Sequence, residues 1–540
     1  MKDISSTGSF INFYLNNYIY VDKTQYIRDL IKLERVFISR PRRFGKSLTL
    51  DTIATLFETG VEPYFKGTWI YDKWTEPTYP VFRLSFLNLD NSSMDLFKKQ
   101  LNSKITEFAN KIGVKEYAEK KEPEDSIDSM LEKLREEKRQ IVILIDEYDY
   151  QLTSNINHDD LYKQFQQKIK RFYANIKDKL AIKFLGITGV TRLKDVEIFS
   201  IGSDINDITN ESAFSQLIGF TRDEIKKYYI DYLKLAASYE NKCRVEEVTD
   251  AQIESMLDMM AQNYDGYCFD EDYEKKVFNT WSVNKFFQTM VGKKKVKFGE
   301  YWYDNGGLPS ILVNYLKTHE LNIFEYLDKD KFLKVSSDDF KNPTALTTIN
   351  QNVLMCQTGY LTLRSDLNKT STVALGIPNG EIYKALNRLL ANNIFKGNTD
   401  ITDDYGRSLL EVGTVDDIIN LFNSALNSVS YDNYPIVSES SVQNMLKLYL
   451  LGAHQKVLSE LHEAKGRADL VVNTDNRRIV FEFKYAKNET EAKSKLLDAV
   501  EQIKTRDYGN IVPKKTELLR IATVFNADPK VRAFTEYQSV

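Results

Sequence analysis

An apolar strand, Arg35–Ser39, runs into a loop that ends in Gly45-Lys46-Ser47, and an apolar-periodic helix, Leu48–Phe57, starts there. Strand, loop and helix in that order make a phosphate cradle, because unpaired N–H groups and the positive end of the helix dipole converge on one point. Gly45 permits close backbone approach, Lys46 reaches the β- and γ-phosphates of a nucleotide, and the Ser47 hydroxyl ligates magnesium. Against the pattern G-x-x-x-x-G-K-[ST], Arg40 replaces the first glycine. The contact set read from this loop is Arg42, Arg43, Phe44, Gly45, Lys46, Ser47 and Leu48.

About 100 residues later five aliphatics, Ile141-Val142-Ile143-Leu144-Ile145, end in Asp146-Glu147. This puts two carboxylates at the C-terminal edge of a parallel sheet, where open α/β folds bind ligands. Asp146 would hold magnesium and Glu147 would orient and deprotonate the attacking water. The alternative is a pair of solvated acids capping a strand. Strand-like runs at Arg35–Ser39, Val81–Leu87, Ile141–Ile145 and Phe184–Thr188 alternate with helical patterns such as Ser126–Glu137, which predicts a parallel sheet covered by helices. Thr188 ends one of these strands and could sense the γ-phosphate, and Arg192 could stabilise transition-state charge. A strand-end cap and a surface arginine is the competing reading.

At 540 residues, with 42% hydrophobic and 28% charged content, the chain should hold several globular domains. Residues 1–220 carry the P-loop NTPase sheet. Residues 221–341 read as an aromatic-rich helical lid. Residues 342–425 run helix, hairpin (Tyr360–Leu363 and Val373–Ile377), helix, a winged-helix-like layout. Residues 426–540 form a small α/β unit. There is no internal repeat, no transmembrane-length apolar run and no basic-then-apolar N-terminus, so a soluble cytoplasmic protein is expected. Three dispersed cysteines without CxxC spacing argue against a zinc or redox site. A formal charge of −4 argues against a protein that coats DNA through a globally basic surface, so any nucleic-acid contact must be local.

The final unit carries a second chemistry. Asp469 begins the strand Asp469–Val472, a polar turn at Asn473–Arg477 follows, and Arg478–Lys484 returns. Strand alternation puts Glu482 and Lys484 on one face and Phe481 and Phe483 on the other. A hairpin would then bring Asp469 beside Glu482 and Lys484, and metal-dependent phosphodiester cleavage needs this combination of carboxylates and a lysine. Glu460, and with less support Glu439, could complete the metal sphere. Gln502 and Tyr508 lie on or just after the next helix, where an ordinary amphipathic helix is the competing reading. His454 and His462 fit no metal-ligand spacing and read as surface positions.

The chain resembles a bacterial family of AAA-ATPase-like proteins with a C-terminal PD-(D/E)XK nuclease domain. The resemblance rests on Tyr20-Val21-Asp22-Lys23-Thr24, Arg40-Pro41-Arg42-Arg43-Phe44-Gly45-Lys46-Ser47, Leu144-Ile145-Asp146-Glu147-Tyr148-Asp149, Gly219-Phe220-Thr221, Tyr264-Asp265-Gly266-Tyr267 and Thr358-Gly359-Tyr360-Leu361. It spans nearly the whole chain. It implies that Arg40 is a family trait, that Asp22 and Lys23 lie near the nucleotide, and that Gln502 and Tyr508 match a QxxxY-like element with the tyrosine displaced. The family usually has tryptophan before Tyr264 and arginine after Tyr267, where this chain has Asn263 and Cys268. The implied fold is a P-loop domain with a lid, followed by a restriction-endonuclease-like domain. The implied cofactors are ATP and Mg2+, with DNA as the partner of the last domain and a homo-oligomer compatible. Two functions follow as expectations: an ATPase that regulates a DNA endonuclease in the same chain, or a nucleotide-dependent switch or scaffold whose nuclease-like domain binds without cutting.

Overall fold

The computed structural model describes residues 1–176, 179–193, 204–302, 310–316, 319, 323–343, 345–395, 404–453, 455–463, 466–506 and 516–540, with backbone alone at 310, 404, 405, 459–463, 466 and 467. The chain divides into two compact units, one made of Met1–His319 with Phe332–Ile382 and the other of Glu320–Lys331 with Tyr383–Val540. The winged-helix-like stretch at 342–425 contributes to both. Among the described residues no helix is long and apolar enough to cross a membrane.

The first unit is built on a sheet of five parallel strands: β1 (Arg35–Ser39), β2 (Val81–Ser85), β3 (Ile141–Asp146), β4 (Ile182–Gly189) and β5 (Asn206–Asp207), in the order β2-β3-β4-β1-β5. β1 and β3 are interior strands covered on both faces, which is why Val36–Ile38 and Ile141–Ile145 read as unbroken apolar runs. The strand standing between β1 and β3 is β4, while β2, which falls between them in sequence, lies outside β3. The helix Lys46–Thr59 buries Leu50, Ile53, Leu56 and Phe57 against the sheet.

Helices at Arg222–Tyr228, Ile230–Asn241, Asp250–Tyr264 and Thr280–Lys293 follow. The first and third open on capping boxes at Thr221 and Thr249. Their shared core contains Tyr229, Tyr232, Met256, Phe286 and Phe287 and takes in Ile19 and Val21 from the N-terminal segment. That burial accounts for the aromatic content of this stretch. A small antiparallel sheet adds β6 (Leu333–Ser336), β7 (Thr362–Leu363) and β8 (Thr372–Gly376), in the order β6-β8-β7. The expected hairpin is β7 and β8, and β6 is a third partner whose LKVS sequence gave no strand signal.

The second unit holds a mixed sheet of β9 (Lys456–Glu463), β10 (Gly466–Asn473), β11 (Arg477–Ala486), β12 (Glu517–Asn526) and β13 (Ala533–Ser539), ordered β13-β12-β11-β10-β9. Only β11 and β12 run parallel, and the helix Glu489–Arg506 lies between them in the chain, as a parallel crossover requires. Val471, Val480 and Ala522 pack against Ala499, Val500 and Ile503 of that helix. On the other face Phe481 and Phe483 stack at 5.6 Å and meet Phe422 and Phe534. The fold class is therefore α/β in both units, with a parallel sheet first and a mixed one second.

Candidate functional sites

The C-terminal edge of the parallel sheet gathers the first set of side chains. Asp146 takes three donors: Ser47 Oγ to Oδ2 at 2.5 Å, Thr188 Oγ1 to Oδ1 at 2.5 Å, and the Glu147 N–H to Oδ1 at 3.0 Å. The phosphate-loop serine, the acid of β3 and the threonine of β4 thus form one hydrogen-bonded group. Glu147 has a positive φ of 55° and accepts from Ser85 Oγ at 3.2 Å. Ser85 ends β2 and pairs in register with Asp146. It was missed in the sequence because a serine after an edge strand carries no chemical signature by itself. Burial raises the Glu147 pKa, the neighbouring Asp146 adds to this, and Lys46 and Ser85 oppose it.

Lys46 is buried, and burial lowers its ammonium to about 8 against the pull of Asp146, Asp149 and Glu147. Its Nζ donates to the carbonyls of Arg40 and Pro41 at 2.8 and 2.9 Å, so the loop curls around the lysine. Gly45 caps the helix at φ 107°, a conformation that costs an L-residue with a Cβ about 1–2 kcal/mol. Phe44 is buried, with its ring edge-on to Tyr267 at 4.7 Å and Phe269 at 5.5 Å, so its side chain anchors the loop. Tyr267 in turn donates to the Gly359 carbonyl at 3.2 Å. The motifs around Tyr267 and Gly359 therefore brace the phosphate loop, despite Asn263 and Cys268 at the flanking positions. Tyr148 and Asp149 do the same for the segment after β4. Asp149 accepts from the Thr191 N–H and hydroxyl, both at 2.6 Å, and Tyr148 donates to the Thr191 carbonyl.

A cavity of about 480 Å³ opens beside the loop, lined by Arg42, Arg43, Gly45, Lys46, Ser47, Leu48 and Glu147, among others. That is ample for a cofactor-sized ligand. Lys23 also lines it, donating to Glu224 and to the Gln216 carbonyl at 2.7 Å each. Asp22 does not, since its carboxylate accepts from the Thr24 and Trp69 N–H groups and holds local structure. Arg192 pairs with Asp207 at the end of β5 and is not among the cavity's lining residues.

In the second unit, Leu470 pairs with Phe481, so the next antiparallel step sets Asp469 opposite Glu482. Asp469 Oδ2 accepts from the Phe483 N–H at 2.9 Å, and Gln443 donates to the Asp469 carbonyl. Gln443 sits on the helix Glu439–Gly452 and was not singled out from the sequence, because only the docked helix brings it to the strand. Glu482 is 1% exposed, and its Oε1 accepts from Lys484 at 2.9 Å. Its Oε2 is buried without a hydrogen-bond partner among the described residues. Burial pushes the Glu482 carboxyl up to about 7, Asp469 adds to this, and Lys484 works against it. For Lys484 burial disfavours the charge, but Glu482 and Glu439, at 2.9 and 3.2 Å, outweigh it and raise its pKa.

β9 runs beside β10 with Leu461 and Ser459 paired to Ala468 and Leu470, which brings the Glu460 backbone alongside Asp469. The Glu460 side chain lies outside the described residues, as do Tyr508, His454 and the side chain of His462. Gln502 stands half-buried on the helix that covers this face, next to Ile503. Among the described residues no group of three or more His, Cys, Asp or Glu side chains is arranged as a metal site. The pair Asp469 and Glu482, with one buried carboxylate oxygen unpartnered, nevertheless fits a hard divalent cation, which binds through one or two carboxylates and keeps several waters.

Residues 5–199 match the family model described as predicted AAA-ATPase, and residues 437–534 match that of the PD-(D/E)XK nuclease superfamily. An uncharacterised protein from the vnfD 5' region of Azotobacter chroococcum mcd 1 is 25% identical over 530 residues, covering 95% of this chain and 94% of the relative. Two solved structures are similar at 11% identity: Cdc6p from Pyrobaculum aerophilum, over 68% of this chain and 92% of that one with a TM-score of 0.22, and the Aeropyrum pernix Orc1 protein in complex with DNA, over 71% and 97% with a TM-score of 0.26. Likeness at that level carries no weight for the fold, which rests on the strand orders themselves. With the Arg40–Ser47 loop and the Asp469–Lys484 hairpin, the two matches give this chain an AAA-type ATPase-like domain and a PD-(D/E)XK nuclease-like domain.

Proposed function

We propose that the first unit binds and hydrolyses ATP and that its nucleotide state regulates a magnesium-dependent DNA endonuclease centred on Asp469, Glu482 and Lys484. The observation that carries the nuclease half is the Glu482 carboxylate. It is buried, faces a second acid, and keeps one oxygen without a hydrogen-bond partner among the described residues, an arrangement that costs stability unless a cation relieves it. A bound magnesium ion would supply charge neutralisation at the scissile phosphate and lower the pKa of a coordinated water. Asp469 and Glu482 would hold the ion, and Lys484 would position the attacking water. In the first unit Ser47 and Asp146 would hold the nucleotide's magnesium, Lys46 would bind the β- and γ-phosphates, and Glu147 would accept the proton of the attacking water. Burial raises its pKa, which makes its carboxylate a stronger base.

Cleavage of single-stranded, duplex and branched DNA by wild type, Lys46→Ala, Glu482→Ala and Lys484→Ala, with and without ATP, tests both halves. Magnesium-dependent cutting lost in both nuclease variants supports the endonuclease. Cutting by Glu482→Ala at the wild-type rate would rule it out. DNA or protein binding that responds to ATP, with no cutting by any variant, would favour the switch or scaffold reading.

A further inference from the structure

Four arginines surround the phosphate loop, and three of them already meet a protein group. Arg40 is buried, lies over the Phe269 ring at 4.2 Å and donates to the Ser39 and Thr209 carbonyls at 2.9 and 2.5 Å. Arg43 lies over the Trp281 ring at 4.3 Å. Arg192 is paired with Asp207. Arg42 is half-buried and lines the cavity with Lys46, Ser47 and Glu147, yet its guanidinium has no hydrogen bond, ion pair or aromatic partner among the described residues. It lies close enough to Lys46 and Glu147 for its charge to lower the pKa of each. The backbone that carries it is held at its own carbonyl and at the next one. Trp302 Nε1 donates to the Arg42 carbonyl at 3.3 Å, and Thr280 Oγ1 to the Arg43 carbonyl at 3.0 Å.

We propose that Arg42 is a catalytic residue of ATP hydrolysis, supplied by the phosphate loop of the same chain rather than by a neighbouring subunit. This rests on the ATPase reading above. In the step, the water oxygen bonds to the γ-phosphorus as the bond to the β–γ bridging oxygen breaks. The water proton passes to Glu147, and ADP leaves with the bond's electron pair. Negative charge grows on the bridging and γ-oxygens, and a guanidinium without a protein partner can meet it there, with no ion pair to break first.

The test is steady-state ATP turnover, together with ADP and ATP affinities, for wild type, Arg42→Ala, Arg42→Lys and Lys46→Ala. For Arg42→Ala we expect kcat to fall by about 10²- to 10³-fold, as for loss of one transition-state donor. ADP affinity should hold, Arg42→Lys should recover part of the loss, and turnover per chain should not depend on protein concentration. Mixing Arg42→Ala with Lys46→Ala protein should restore nothing. Unchanged kcat in Arg42→Ala, an equal loss of ADP and ATP affinity, or recovery on mixing would each overturn the proposal. If wild type shows no turnover that Lys46→Ala abolishes, the ATPase reading itself fails and the proposal goes with it.

Discussion

At the scale of single residues, the two sites have opposite electrostatic problems. Lys46 is a cation stripped of water and surrounded by acids, whereas Glu482 is an anion stripped of water beside another acid. For Glu482 the consequence for stability has a definite sign. Its carboxyl titrates at about 7 in the fold against 4.5 otherwise, so in that window the folded state keeps a proton the unfolded chain has lost. The contribution is therefore fully present below about pH 4.5 and is lost as pH rises through about 7, a change on the order of 3 kcal/mol at 1.36 kcal/mol per unit. Denaturant melts of metal-free Glu482→Gln between pH 4.5 and 8 should lack that decline. Magnesium should stabilise wild type more at pH 8 than at pH 5, and Glu482→Gln should show little of that difference. Asp469, Glu482 and Lys484 were legible in the sequence because period-2 alternation places them on one face. Ser85 and Gln443 were not, since a lone serine and a helical glutamine gain a role only through the strand or helix packed beside them.

At the scale of elements, the Arg-rich phosphate loop is held by residues far from it in sequence. Phe44 packs on Tyr267 and Phe269, and Tyr267 reaches the Gly359 carbonyl. Gly266, just before that tyrosine, has φ 92°, and a Cβ there would lie 2.3 Å from the Pro378 carbonyl oxygen. Gly266→Ala should therefore destabilise the first unit by about 2 kcal/mol or more, combining left-handed strain with a backbone clash. Nucleotide affinity should fall along with the melting temperature. A Gly266→Ala protein that melts like wild type would show that the segment can shift without strain. The interior strands of the first sheet, β1, β3 and β4, were legible as apolar runs because both their faces are covered. β5 escaped notice because it is two residues long, and β9 because its polar and apolar residues follow neither period cleanly.

At the scale of the whole molecule, the two candidate catalytic sets lie in separate compact units, on a parallel sheet in one and a mixed sheet in the other. If nucleotide state governs cutting, Lys46→Ala should abolish the effect of ATP on DNA cleavage while leaving the magnesium-dependent stabilisation at Glu482 intact. Cleavage kinetics with and without ATP, alongside thermal melts with magnesium, would check this. Equal ATP dependence in wild type and Lys46→Ala would separate the two activities. The sequence alone determined that a phosphate loop enters a helix, that two acids end a buried strand, and that a second pair of acids lies across a hairpin. Each of these follows from local periodicity. Only the tertiary structure decided that β4 stands between β1 and β3, that Arg192 is bound to Asp207 while Arg42 lines the cavity with no partner among the described residues, and that the Tyr267 and Gly359 motifs serve the phosphate loop. Those outcomes depend on which distant segments pack together, and packing depends on shape and burial summed over the chain, which no local pattern encodes.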